Sequence, residues 1–245
     1  MYKMNKIINA IATTMLTVVV ALFAVGCNKP DEPNNGGNNV TNDTVEAHEF
    51  VDLGLPSGTL WAICNVGASS PEDFGDYFAW GETTPKDIYD WDSYKYGGMV
   101  NDLFAMSKYC TDSIYGLDGF VDNMTVLEAT DDAATVNWGA DWRMPTKEEW
   151  KELYLKTTNS WAVQNGVNGW LFTAPNGNSL FLPATGFRLD GELIGPGLGI
   201  YWSSSLHTVF NERGWSFHFE GENCHVCGTY ERNRGQVIRA VRVVK

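Results

Sequence analysis

Between residues 215 and 220, large aromatic residues alternate with polar ones. Trp215, Phe217 and Phe219 stand against Ser216, His218 and Glu220. A period of two puts each set on its own face of an extended strand, so this segment belongs half-buried in a sheet. Residues 199–205 and 235–244 flank it and read as buried strands. The rest of 207–234 mixes His, Asn, Arg, Tyr, Cys and Glu. A rigid frame that displays mixed side chains suits recognition, and no acid–base pair or nucleophile is organised around it.

The chain has 245 residues, 13% of them aromatic, which is ample material for one sizeable core. Its formal charge of −13 argues against nucleic acid, whose phosphates require basic patches, and against anionic lipid headgroups. The N-terminus has a different character. Lys3 and Lys6 precede an uncharged apolar run over 7–25, and Gly26-Cys27 follows. That is the layout of a secretory signal over 1–26. Asn9, Thr13, Thr14 and Thr17 make the run a poor membrane span. Small residues just before a cysteine resemble the bacterial lipobox, which implies lipidation at Cys27. Lys29, Asp31 and Glu32 resemble the signal that sends Bacteroidetes lipoproteins to the outer face of the outer membrane. Membrane contact is then expected through the lipid anchor only. Residues 27–48 are rich in Asn, Gly, Pro and Thr, cannot bury a core, and are expected to form a disordered tether. A flexible chain of that length reaches about 25 Å.

The folded domain is expected over 49–245. Residues 50–61 read as strand, Pro/Gly turn and strand, and 76–82 as a further aromatic strand-like piece. Residues 85–140 read as long loops. One helix begins at Thr146, with Glu149 completing a capping box and Trp150, Leu153 and Tyr154 as its buried stripe. Residues 170–173 and 179–183 flank Pro175-Asn176-Gly177-Asn178 as a hairpin. The pattern is α+β and loop-rich.

Six segments together resemble one family. They are 50–61 (FVDLGLPSGTLW), 74–83 (FGDYFAWGET), 142–153 (WRMPTKEEWKEL), 182–188 (LPATGFR), 201–205 (YWSSS) and 238–242 (IRAVR). This set is similar to the Fibrobacter succinogenes major paralogous domain of Bacteroidetes lipoproteins. The resemblance implies a C-type lectin-like fold of the version shared with formylglycine-generating enzymes: small antiparallel sheets, one or two helices and long loops. The C-terminal layout also resembles the variable proteins of diversity-generating retroelements. There the substituted positions would be His207, Asn211, Arg213, Ser216, His218, Asn223, His225, Tyr230, Arg232 and Arg234. These ten form the expected ligand surface for an unknown protein or glycan partner, with the protein acting as a monomer. An invariant polar loop in an ordinary family member stands beside the diversified reading.

Other sites are weighed against this one. Cys224-His225-Val226-Cys227 offers one ligand pair where a zinc site usually uses two, so no metal or other cofactor is expected. Cys64 and Cys110, beside aromatic segments, are the disulfide candidates. Ser203–Ser205 with His207 lack a nucleophile elbow and are expected to hydrogen-bond neighbouring loops. Asp131 and Asp132 near Asn137 read as a solvated loop rather than a calcium site. Leu182-Pro183-Ala184-Thr185-Gly186 reads as a structural turn. Binding rather than catalysis is therefore expected; a formylglycine-generating type of enzyme and a structural appendage component are the alternatives.

Overall fold

A computed structural model describes residues 48–243, apart from the side chains of Val226, Cys227 and Val243. The signal segment, Cys27 and the tether up to residue 47 lie outside the described residues. In chain order the strands are β1 (Phe50–Asp52), β2 (Thr59–Ala62), β3 (Gly97–Val100), β4 (Leu103–Met106), β5 (Thr158–Gln164), β6 (Val167–Thr173), β7 (Ser179–Pro183), β8 (Phe187–Leu189), β9 (Glu192–Ile194), β10 (Leu198–Leu206), β11 (Arg213–Glu220), β12 (Asn223–Glu231) and β13 (Val241–Val243). The helices are α1 (Ala133–Trp138) and α2 (Lys147–Lys156). The strands pair antiparallel in small sheets, ordered β1-β2-β13, β3-β4, β5-β6-β7, β8-β9 and β10-β11-β12. This is an α+β architecture of small sheets.

Local chemistry accounts for several of these elements. The Thr146 side chain accepts from Glu149 N and Glu149 reaches back to Thr146 N, so the capping box forms and α2 starts where the sequence places it. Trp150 and Leu153 are buried, and Tyr154 stacks on Trp170. β6 and β7 pair across the expected turn, where Gly177 sits at φ +88°. β1 and β2 pair across 56–58 with Gly58 N donating to Leu55 O at 2.9 Å.

Four expectations change. Residues 85–140 are not loop throughout, because β3, β4 and α1 lie within them. Residues 76–82 make only one bridge, Phe78 to Gln236. Residues 235–240 are irregular, and the strand expected there is reduced to β13. Asp131 and Asp132 are buried rather than solvated. Asp132 caps α1 through Thr135 N and also accepts from Met144 N at 2.8 Å. Asp131 accepts from Tyr96, Tyr109 and Lys108. Burial alone would raise the Asp131 carboxyl, but these donors outweigh it and hold the group below its usual range.

Two apolar cores result. One gathers Phe78, Trp80, Tyr89, Trp142, Trp202 and Ile238. The other gathers Trp61, Trp150, Trp170, Phe172, Phe217 and Phe219. The odd face of β11 seals the second core, with Phe217 stacked on Trp150 at 4.9 Å and Phe219 on Trp170 at 5.7 Å. Gly199 in β10 is required here, because a Cβ at that position would fall inside the Phe219 ring. Trp150→Ala should cost about 3–5 kcal/mol and Thr146→Ala about 1 kcal/mol, with an unchanged urea m-value.

Candidate functional site

β11 and β12 form a hairpin with two chemically different faces. Ladder pairs put Trp215 opposite Thr229, Ser216 opposite Gly228 and His218 opposite His225. The register shifts between Ser216 and His218, where β12 carries one extra residue. Cys224 packs towards the second core, and burial pushes its thiol up to about 12. Its neighbour His225 lies on the other face, with its ring 5.5 Å from that of His218. Cys227, the other half of the expected cysteine pair, has a side chain outside the described ones. Among the described residues, no group of three or more His, Cys, Asp and Glu is placed to hold a metal.

From His225 a row of side chains runs across the open face. Tyr230 Oη lies 3.4 Å from His218 Nδ1. The Tyr230 ring sits 5.8 Å from Phe187 of β8, and the Arg234 guanidinium lies 5.0 Å from Phe187 and 5.4 Å from Tyr230. Glu231 fixes the end of the row by accepting from Arg213 at 2.9 Å and Arg234 at 2.7 Å. Five of the expected residues, Arg213, His218, His225, Tyr230 and Arg234, thus come together. Asn223 is exposed at the hairpin tip, opposite Glu220.

His207 belongs to a different place. Its ring packs on Phe210 and on Trp215 at 4.6 Å, and its Nδ1 accepts from Phe210 N at 2.9 Å. Lys147 lies 4.8 Å above the Trp215 ring. This is the base of the hairpin, on the face opposite the row.

Three of the ten expected residues are buried, which corrects the sequence reading. Asn211 is a loop clamp whose Oδ1 accepts from Thr111 N and Asp112 N. Ser216 donates to Gln236 Oε1 at 2.8 Å beneath the hairpin. Arg232 lies between the Trp80 and Tyr94 rings, with Nη1 donating to Lys108 O at 3.0 Å. The disulfide candidates are corrected too. Cys64 and Cys110 are free thiols in separate surroundings. Cys64 follows β2 at the rim of a polar cavity with Glu49 and Ser69, whereas Cys110 is buried with its thiol turned to Asp112 O. The serines behave as expected: Ser203 donates to Trp215 O, Ser204 to Pro145 O, and Ser205 accepts from Lys147 N. Phe187 is the support of the row that sequence reasoning missed: itself buried, it packs against Tyr230 and Arg234. It lies there because β8 is clipped to Gly235 by paired backbone bonds of 2.7 and 2.9 Å, and no local pattern signals that.

A cavity of about 450 Å3 beside α1 is a weaker candidate. Its Asp132 is spent on two backbone N–H groups, and its Arg143 forms two bonds to Glu149 of 2.6 and 2.7 Å.

Burial lowers the pKa of both His207 and His218, and the neighbouring His225 adds to the effect at His218. As pH falls, the unfolded chain takes up these protons first. The stability tied to the neutral rings is therefore complete above about pH 6.5 and is lost as pH falls through their lower folded values. Urea titrations between about pH 7 and pH 5 should show a shallower loss of stability for His207→Gln/His218→Gln than for the parent. No family model matches the chain, and no curated protein or solved structure matches it either.

Proposed function

We propose that this protein is a surface-directed lipoprotein whose domain binds a protein or glycan ligand non-covalently through the open face of the β11–β12 hairpin. The observation that carries the reading is the row of His225, His218, Tyr230 and Arg234, backed by the buried Phe187 ring and anchored by Glu231. Half-exposed Tyr and Arg side chains on a stiff frame are what a binding interface uses as energetic anchors. The small antiparallel sheets and two helices support the C-type lectin-like fold implied by the six resembling segments. The same resemblance supports membership of the major paralogous domain family. The arrangement of reactive groups favours binding over catalysis: the serines of β10 are spent on backbone groups and the Cys224 thiol is held protonated.

Lipidation at Cys27 and display outside the outer membrane rest on the lipobox-like segment and the residues after it. Among the described residues, no helix is long and apolar enough to cross a membrane. With Cys27→Ser, membrane fractions should lose the protein and acyl labelling should disappear; retention of both would sink the anchor. Diversification remains part of the proposal for His218, His225, Tyr230 and Arg234. A reverse transcriptase gene beside this one, with a near-copy of the DNA for residues 200–245, is its test.

The binding reading is tested by probing glycan and protein arrays with the full chain. Tyr230→Ala and Arg234→Ala should each weaken the captured ligand by about tenfold or more. Unchanged affinity in both variants would refute the assignment of the face.

A further inference from the structure

The row ends at a concavity of about 330 Å3 that Glu231 and Arg234 help to line. Four stretches separate in sequence build it. Trp91 and Phe104 form an aromatic wall, with ring centroids 5.2 Å apart. The β8–β9 turn brings Asp190, whose N–H donates to Tyr89 O at 3.3 Å and so fixes the turn beside Asp90. The turn that follows β12 brings Asn233, held in place because β8 bonds Gly235. Gly235 is needed there, since a Cβ would come within 2.7 Å of the Tyr89 ring.

The charges around this cavity do not cancel. Glu231 is neutralised by Arg234 and Arg213. Lys86, the cation nearest Asp90 in sequence, is spent on Glu82 and on Ser93 O. Asp90 accepts from Ser93 N at 2.8 Å, and the Ser93 hydrogen bonds hold its carboxyl below the usual range. Neither Asp90 nor Asp190 has an ion-pair partner among the described residues. Asn233, only 4% exposed, lines the same cavity, and its Oδ1 has no hydrogen-bond partner among the described residues. The wall thus presents two unpaired carboxylates, an orphaned acceptor and an aromatic surface. The cation in its lining, Arg234, is engaged by Glu231, so a second positively charged hydrogen-bond donor would complete the cavity.

We infer that this cavity is a subsite for an ammonium or guanidinium group on an apolar stem, with the stem against Trp91 and Phe104 and the charge at Asp90 and Asp190. The inference deepens the binding reading above and rests on it, because the subsite opens at the Arg234 end of the same face. The cation comes from a lysine or arginine side chain of a partner or from a free amine; both share the chemistry.

Titration calorimetry of the full chain tests this with Nα-acetyl-lysine amide, Nα-acetyl-arginine amide, putrescine, a lysine-rich peptide, and two neutral probes, Nα-acetyl-norleucine amide and methyl glucoside. The cations should bind and the neutral probes should not, and binding should weaken as salt rises. Asp90→Asn/Asp190→Asn should weaken the cations by about tenfold or more. Asn tolerates the positive φ of +49° at residue 190, so this variant keeps the turn. Trp91→Leu, checked for an unchanged urea midpoint, should weaken them as well. Tighter binding of the peptide than of putrescine identifies a protein source, and equal binding a free amine; both outcomes support the subsite. Absence of cation binding at about 10 mM, equal binding of the neutral probes, or insensitivity to the double variant overturns it. An array ligand lost in Tyr230→Ala while no cation binds would end this inference alone. Cation binding that depends on Asp90 and Asp190, with no array ligand, would instead end the wider reading of the face.

Discussion

The structure hangs on the backbone of residues 236–241. Gln236 exchanges two hydrogen bonds with Phe78, Val237 O accepts from Trp202 N, Ile238 O from Val66 N and Ala240 O from Ala62 N, and Val241 exchanges two with Arg143. Each link joins this stretch to a segment 35 or more residues away, so small sheets that are individually weak become one framework. The side chains divide the same way. Ile238 and Ala240 enter one core, and Val237 and Val241 enter the other. Between them the fully buried Arg239 donates to Asn65 Oδ1 at 2.8 Å and to the carbonyls of Ile63 and Ala62 at 2.6 and 3.2 Å. No carboxylate pairs with it among the described residues, so desolvation lowers its pKa, and oriented oxygens alone must offset the cost of burying the charge.

That framework explains how one hairpin serves two purposes. Phe217 and Phe219 of β11 are committed to the aromatic stack with Trp150 and Trp170, which holds that end of the strand stiff. The even side chains are covered near Ser216 by Gln236 and emerge only from His218 onwards. The central segment therefore sets where the open face begins. It also places Gly235 against β8, which brings Phe187 and the Asp190 turn beside Tyr230 and Arg234.

Elements governed by near neighbours were legible in the sequence. The capping box at Thr146 and Glu149, the turn at Asn176-Gly177 and the alternation through Phe217 and Phe219 each depend on residues a few positions apart, and each formed as read. The candidate surface was legible only in part. Asn211, Ser216 and Arg232 are polar and sit among displayed residues, so they read as exposed. Their partners lie at Thr111 and Asp112, at Gln236 and at Lys108 O. Nothing within a strand's own period shows that a distant segment will cover it.

What the sequence determined by itself was the type of each local element and the polarity of one face of β11, because hydrophobic period, caps and turn residues act over a few residues. Tertiary structure alone decided which polar residues were left on the open face. Burial of a guanidinium between Trp80 and Tyr94, of Arg239 among carbonyls, and of Ser216 under Gln236 depends on contacts with segments far away in the chain. A polar side chain is buried at little cost wherever such a segment supplies its hydrogen bonds, and only the assembled fold brings that segment within reach.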